Sequence, residues 1–518
     1  MRPLWRKHRG VPDPGVVIIG AGIGGLASAI DLASRALPVT VVERAATPGG
    51  KLRQVEIAGQ RLDAGPTVFT MRWVFDELFA DAGTHLDREL PLAALEVLAR
   101  HAWAEHERLD LHADLERSED AIARLCGPAE ASRFRRFSAA AAHTYRTLES
   151  TYIHAARPNP VDLARRAGVA ALWRTRPFAS LWQTLGQHFR DPRLIQLFGR
   201  YATYCGSSPF FAPATLTLIA HVEQVGVWLP RGGMYALAET MARLASKLGV
   251  EFRYGCEAHQ IVVERGRVVG VELLGGERLH AGTVVFNGDI AALAAARLGS
   301  GAAAIVPSSS GAQRSLSALT WNLVAETSGF PLHRHNVFFS ADYPREFDEL
   351  FAARRLPLAP TVYVCAQDRD GTARACPGRE RLLCLVNAPP VGDERSFDPS
   401  EIEQCERQSW RLMERCGLRI NRTEPMVVTT PTDFERLFPA TGGALYGQAS
   451  HGWRASFNRP GSRTALPGLY LAGGSTHPGA GVPMAALSGR LAAASVLADL
   501  DSTSRSRAVA MPGGTSTR

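Results

Sequence analysis

Four sets of residues in this chain have the types and spacing to do chemistry. The first is Gly20-x-Gly22-x-x-Gly25, with Gly24 inside it, directly after the apolar run Val16-Val17-Ile18-Ile19. Glycines at this spacing let a backbone turn tightly, approach a pyrophosphate, and pack a helix closely on a strand. The second is Glu43, a carboxylate that closes the next apolar run and suits the hydroxyls of a ribose. The third is Arg44 followed by Gly49-Gly50-Lys51, a second glycine pair straight after the carboxylate. The fourth stands more than 400 residues later, at Gly473-Gly474-Ser475-Thr476-His477-Pro478-Gly479-Ala480-Gly481-Val482-Pro483.

These residues need specific elements to carry them. Val16 to Ile19 reads as a buried parallel strand, Leu26 to Ser34 as a helix, and Leu37 to Val42 as the second strand. The helix start offers free N–H groups and a positive dipole end to phosphates. A carboxylate at Glu43 would repel a 2′-phosphate. The second glycine pair lies where a chain passes beside a flavin's own phosphates and ribitol, whereas NAD proteins proceed directly to another strand–helix unit. The cofactor expected is therefore FAD. Leu469 to Ala472 reads as a strand, and Pro483 suits the first turn of a helix running to about Leu500. The N–H groups there are placed to face the flavin's pyrimidine edge. The cofactor residues are thus Gly20, Gly22, Gly24, Gly25, Glu43, Arg44, Gly49, Gly50, Lys51, Gly473, Gly474, Gly481 and Val482. His477 invites a reading as a base, but a histidine in a glycine-rich turn is more often a packing or hydrogen-bonding residue.

A nucleotide site begun at one end and finished at the other implies that the middle is inserted into it. The fold expected is α/β: a Rossmann-like FAD-binding domain of discontinuous segments, with an inserted substrate domain made of a helical part plus a mixed sheet. The chain opens with a basic flexible extension (1–14), the first segment of the FAD domain (15–80), and a helical substrate- or membrane-facing insert (81–227). The second FAD-domain segment (228–290), a substrate domain (291–450), the third FAD-domain segment (451–500) and a disordered tail (501–518) follow. Val74 to Ala82 looks helical, and further helical pattern fills about 85–200. Leu163 to Arg190 holds five arginines and no acid, interleaved with Leu172, Trp173, Phe178 and Trp182. Such a stretch suits a lipid headgroup region, or a helical subdomain whose arginines face water.

At 518 residues, with 46% hydrophobic and 21% charged residues, the chain has the composition of a globular protein of two or three domains. A net charge of +8 is spread too thinly to argue for nucleic acid. Eight cysteines show no C-x-x-C pair and no metal-ligand spacing, so reduced thiols and no metal are expected. No run of 18 apolar residues occurs. The basic start precedes an apolar stretch, but cutting after that stretch would destroy the glycine fingerprint, so no signal peptide is expected.

Taken together, the glycine fingerprint, Pro48-Gly49-Gly50-Lys51, Asp63-Ala64-Gly65-Pro66-Thr67, Gly226-Val227-Trp228-x-Pro230-Arg231-Gly232-Gly233 and the carboxyl-terminal motif resemble the bacterial phytoene desaturase family over roughly residues 15–500. Phe198 to Pro209 and Val482 to Arg490 look most like its 1-hydroxycarotenoid 3,4-desaturases (methoxyneurosporene dehydrogenases). The resemblance implies an FAD-dependent oxidoreductase acting on CH–CH bonds, peripheral to the cytoplasmic face of a membrane. It would introduce a C3–C4 double bond into 1-hydroxylated acyclic carotenoids by hydride transfer to flavin and proton loss, with a quinone or oxygen as acceptor. It also implies an Asp-x-x-Arg with an acid–base role, which Asp162 and Arg165 match in spacing; Asp162 equally suits the N-cap of the helix it opens. A phytoene desaturase making several double bonds is the nearest alternative. A carrier of prenyl or other apolar ligands on the same fold would have lost flavin binding, whereas both glycine motifs are complete here. An amine oxidase would want aromatic residues beside the flavin in the last motif, where Ser475-Thr476-His477-Pro478 stands.

Overall fold

The computed structural model describes residues 15–304, 313–370, 378–422 and 424–509; the basic extension 1–14 lies outside the described residues. Five short strands form a parallel sheet in the order Leu469–Leu471, Thr283–Phe286, Val16–Ile19, Val39–Glu43, Glu251–Tyr254. Strands from three distant stretches of the chain therefore share one sheet. Val16–Ile19 is its centre, buried along its whole length as a strand covered on both faces must be. Helix Ile23–Ala33 covers one face and packs along the final helix, Val482–Val509.

The chain order reverses between Val16–Ile19 and Thr283–Phe286, which makes the carboxyl ends of these two strands the topological switch point. Ligands of doubly wound sheets bind in that crevice. A hairpin of Ala258–Glu264 and Arg267–Leu273 stands beside the sheet and turns at Arg265 and Gly266, both with positive φ.

The second body is a large mixed sheet in the order Arg419–Arg422, Ser317–Ser328, Arg379–Ala388, Val362–Ala366, His335–Phe338, Val97–Ala104, Glu107–His112, with Val427–Thr429 also paired to Ser317–Ser328. Its core gathers Trp321, Phe338, Leu382 and Cys384, all fully buried. The seven cysteines among the described residues are free thiols; Cys376 lies outside those residues.

Two expectations need correction. Residues 85–112 are not helical throughout: Val97–Ala104 and Glu107–His112 form a hairpin whose first strand pairs in parallel with His335–Phe338. Val97-Leu98-Ala99-Arg100-His101-Ala102 is rich in helix formers, and it is buried on both faces, so no alternation marks it as a strand. Tertiary pairing overrides local propensity here. The last helix also runs past Leu500 to Val509, into the stretch expected to be disordered; residues 510–518 lie outside the described residues.

The rest of the insert is helical. Pro128–Leu148 is its longest helix, and the basic stretch breaks into the short helices Pro160–Ala167, Val169–Arg174 and Leu181–His188. The last begins with a capping box between Ser180 and Gln183. Among the described residues, no helix is long and apolar enough to cross a membrane.

Candidate active site

The glycine fingerprint occupies the switch point. Gly20 leaves the central strand with φ of +100°, and Gly22 caps helix Ile23–Ala33. A Cβ on Gly25 would lie 2.1 Å from the Gly20 carbonyl oxygen, so only glycine lets this helix seat on its strand. Glu43, at the end of the neighbouring strand, reaches over this loop. Its Oε2 accepts the Ala21 N–H at 2.7 Å and its Oε1 accepts the Ala45 N–H at 2.9 Å. Each carboxylate oxygen keeps a second lone pair for a ribose hydroxyl.

The second glycine pair closes against the first. The Gly49 N–H donates to the Ala21 carbonyl at 2.8 Å, and Gly50 lies against Gly22, where its Cβ would come within 3.2 Å of the Gly22 Cα. Lys51 spans to the far wall, donating from Nζ to the Leu445 carbonyl at 2.6 Å, and burial pushes its ammonium down from the ordinary value. The Arg44 guanidinium donates to the carbonyls of Arg436 and Leu437, at the end of helix Pro431–Leu437.

The carboxyl-terminal motif supplies the remaining wall. Gly473, Gly474, Gly481 and Val482 line the same cavity, which helix Val482–Val509 meets with its amino end. His477 is buried and packs edge-on against Tyr152; burial holds its imidazole down to about 4, so it is neutral at pH 7.

All the expected cofactor residues except Gly25, which works from behind, line one cavity of about 1290 Å³. From this cradle the cavity runs between the two bodies to walls made of Leu148, Ile153, Leu163, Leu172, Leu216 and Ile219, and Trp173, Phe178 and Trp453 also line it. The cavity is also lined by a polar cluster: Arg200 and Tyr204, from the Phe198–Pro209 stretch, with Glu223 and Tyr363, which belong to no motif.

Asp162 and Arg165 do not meet the cavity. Both are exposed, while Leu163 and Ala164 between them form its wall. Asp162 is not the helix cap either. Asn159 is, accepting the Asp162 N–H at 2.9 Å and donating from Nδ2 to Asp162 Oδ2 at 2.5 Å, which ties the carboxylate into the first turn. A 3.6-residue period points positions 162 and 165 the same way, away from 163 and 164.

Two further residues escaped sequence reading. Asn287 follows the strand Thr283–Phe286, donates its backbone N–H to the Ile19 carbonyl at 2.9 Å, and fills the space under the glycine loop with its amide. Cβ atoms at Gly22 or Gly24 would clash with it, at 2.8 and 2.6 Å. Its signal was its position one residue beyond an apolar strand. Arg459 is buried and donates to the carbonyls of Gly474, Tyr446 and Gln448 at 2.8, 3.0 and 2.9 Å, clamping the last motif to the 446–448 loop. No local pattern marks it.

The cradle fits FAD. Phosphate-facing backbone lies at a helix start, a ribose-reading carboxylate sits at the end of the second strand, and a second glycine pair extends the site beyond a mononucleotide. The cavity is also continuous into a long apolar space.

The flavin-containing amine oxidoreductase family matches residues 23–497. The hydroxyneurosporene desaturase of Rubrivivax gelatinosus is 57% identical, over 99% of this chain and 98% of that one. That of Cereibacter sphaeroides is 46% identical over 95% and 99%, and the 1-hydroxycarotenoid 3,4-desaturase of a Flavobacterium is 30% identical over 92% and 98%. Among solved structures, putrescine oxidase bound to putrescine superposes with a TM-score of 0.57 at 15% identity, covering 94% of this chain and 99% of that one. Cyclohexylamine oxidase from Brevibacterium oxydans gives 0.55 at 15% identity over 95% and 100%. The chain thus belongs to the flavin-containing amine oxidoreductase family, among its carotenoid desaturases, and FAD is the cofactor for which its glycine cradle is built.

Proposed function

We propose that the chain introduces the C3–C4 double bond into acyclic carotenoids hydroxylated or methoxylated at C1. The observation that carries this reading is the single cavity that joins the cofactor cradle, an apolar passage and a polar cluster. A long polyene fits the passage, and an oxygenated end fits the cluster. The names of the relatives from Rubrivivax, Cereibacter and Flavobacterium point to the same substrates.

Desaturation removes a hydride from one carbon and a proton from its neighbour. FAD, when bound, supplies the two-electron acceptor for the hydride. The protein's task is to seat the cofactor by Gly20, Gly22, Gly49 and Gly50, hold its ribose with Glu43, and turn a positive helix end towards it at Val482. Leu163, Leu172, Leu216 and Ile219 exclude water from the substrate passage. The proton leaves a cation spread over the polyene, so water or a wall carboxylate suffices as its acceptor. A quinone or oxygen completes the cycle.

Delivery from a membrane belongs to the proposal. Val161, Val169, Trp173 and Phe178 are 66, 71, 70 and 66% exposed. They stand in the same short helices and turns as the exposed Arg165, Arg166, Arg174 and Arg176. Trp173 and Phe178 also line the cavity, and Phe178 packs edge-on against Trp453 at 5.5 Å. Aromatic and aliphatic groups amid cations suit a headgroup layer, and here they adjoin the passage through which a carotenoid would enter.

The test is turnover by the purified, FAD-supplemented protein of phytoene, neurosporene and 1-hydroxyneurosporene, each in liposomes with a quinone or oxygen. One added double bond on the hydroxylated carotenoid is the expected result. Conversion of phytoene instead would reassign the chain as a multi-step phytoene desaturase, and no turnover by flavin-loaded protein would refute desaturation of these substrates.

A further inference from the structure

The cluster beside the cradle contains a cation whose surroundings the chemistry so far does not explain. Arg200 begins the 3-10 turn Arg200–Cys205 and lines the cavity. Its guanidinium lies over two rings, 5.2 Å from the centroid of Tyr204 and 5.4 Å from that of Tyr363. Among the described residues it makes one side-chain hydrogen bond, from Nη1 to Tyr204 Oη at 3.2 Å. A guanidinium has five N–H donors, so donors remain for the cavity.

The surrounding groups hold it still. Buried Glu223 accepts the hydroxyls of Tyr201 and Tyr204, both at 2.6 Å, and so ties the ring that Arg200 lies over to helix Leu218–Val225. Tyr363 shares hydrogen bonds of 2.7 Å with Thr67 Oγ1 and with His335 Nδ1. Burial and the nearby arginines hold His335 down to about 3, so it stays neutral and Arg200 is the fixed positive charge of this wall. Thr67 belongs to the Asp63–Thr67 segment, and it lines the same cavity as the cradle.

We propose that Arg200, oriented by Tyr204 and Tyr363, recognises the oxygen at C1 of the carotenoid and thereby sets which end of which carotenoid is oxidised. This rests on the reading in the preceding section. The oxygen lies three bonds from C3, so the group that reads it must stand close to the reacting carbons, and Arg200 lines the same cavity as the cofactor cradle. A wholly hydrocarbon end would press against a charged donor with nothing to accept from it, which is unfavourable. A hydroxyl and a methyl ether both present an acceptor. The site should therefore take either one and disfavour the hydrocarbon, the direction in which a site built to bond an oxygen discriminates.

The test compares FAD-loaded wild type with Arg200→Met, Arg200→Lys and Tyr204→Phe. Substrates are 1-hydroxyneurosporene, its methyl ether and neurosporene in identical liposomes. The readout is the ratio of kcat/KM for each oxygenated carotenoid to that for neurosporene, or to the reciprocal of its inhibition constant if neurosporene is not turned over. Arg200→Met should lower this ratio roughly 10- to 150-fold, the size of one charge-assisted hydrogen bond. Arg200→Lys should retain some of it, and the flavin dissociation constant should not move. An unchanged ratio, an equal fall for all three substrates, or a weakened flavin would each overturn the assignment. If Arg200→Met does not fold, Tyr204→Phe decides, because losing its hydroxyl should still lower the ratio severalfold. Wild type inactive on oxygenated carotenoids would instead refute the desaturase reading, and this one with it.

Discussion

Replacing Glu43 with Gln changes the cradle's charge and acceptor count while keeping its shape. The carboxylate now serves two N–H groups from opposite oxygens, Ala21 at 2.7 Å and Ala45 at 2.9 Å. Ala21 is fully buried, whereas Ala45 is exposed. Glutamine has one carbonyl oxygen, which will turn to Ala21, because a buried donor left unpaired costs about 1–3 kcal/mol. Its NH₂ then faces the Ala45 side, where water can take over, so the fold should lose no more than about 1 kcal/mol. Binding is affected more. The ribose hydroxyls lose an anionic acceptor, about 1.5–3 kcal/mol for a hydrogen bond to a charged group. That corresponds to a roughly 10- to 150-fold weaker FAD complex. Glu43→Lys removes both acceptors, orphans the Ala21 N–H and adds like charge beside Arg44, and the purified protein should be colourless. The assay is titration of apoprotein with FAD followed by quenching of flavin fluorescence, alongside a thermal melt. A dissociation constant for Glu43→Gln within threefold of wild type, with the melt unchanged, would refute the ribose-reading role.

Other substitutions probe the frame around that site. Gly489→Ala places a Cβ 2.0 Å from the Gly24 carbonyl oxygen where the first and last helices meet, next to the Ser28 hydroxyl that donates to the Gly489 carbonyl at 2.8 Å. Overpacking between two backbones should cost about 1–3 kcal/mol and lower the flavin content of purified protein; full occupancy and an unchanged melt would contradict it. Asp63 accepts the N–H groups of Met234 at 2.6 Å and Tyr235 at 3.3 Å, at the start of helix Tyr235–Lys247, and its carbonyl accepts from Asn322 and Gln367. Asp63→Ala strips two buried donors of a charged acceptor and should cost about 3 kcal/mol, read as a lowered urea midpoint, with Asp63→Asn intermediate. Burial pushes the Glu346 carboxyl up to about 7, despite its hydrogen bonds from the Thr361 N–H and hydroxyl. The native state therefore holds a proton that the unfolded chain releases near pH 4.5, so stability falls as pH rises from about 4.5 to 7, by about 3 kcal/mol. Glu346→Gln should flatten the pH dependence of the urea midpoint over that window, and an unaltered slope would reject the assignment. Trp173→Glu with Phe178→Glu alters two exposed side chains, so the melt should stay put while flotation with anionic vesicles drops at least tenfold; undiminished flotation would remove this surface as the membrane contact.

What could be read in the sequence divides by the range over which each feature is encoded. Gly20, Gly22, Gly25 and Glu43 act within one strand–helix–strand unit, and their spacing alone placed them at a helix start and a strand end. Val97–Ala104 was not legible, because one of its partners, His335–Phe338, lies over 200 residues away, and double-sided burial erased the alternation that marks an edge. Asp162 and Arg165 had the right mutual spacing, but spacing does not say which side of a helix meets the cavity. Leu163 and Ala164 took that side, and the buried area of Leu163 outweighs anything a solvated carboxylate contributes there.

Arg459 and Asn287 show a further limit. Each acts by bonding backbone atoms of a segment that joins it only in the folded sheet, so neither has neighbours in sequence that would give it away. Arg200, Tyr204 and Glu223 lie between the two cases. They fall within 24 positions, and two helical turns fold them onto one another, yet their meaning depends on the cavity wall that Thr67 and Tyr363 bring from either side. The cradle is made largely of backbone and one carboxylate, so a short local pattern is enough to encode it. Discrimination among substrates then falls to side chains of the cavity wall, where Arg200 is held by contacts from three separate stretches of the chain. That division of labour makes the cofactor readable from motifs alone and leaves the substrate to the folded cavity.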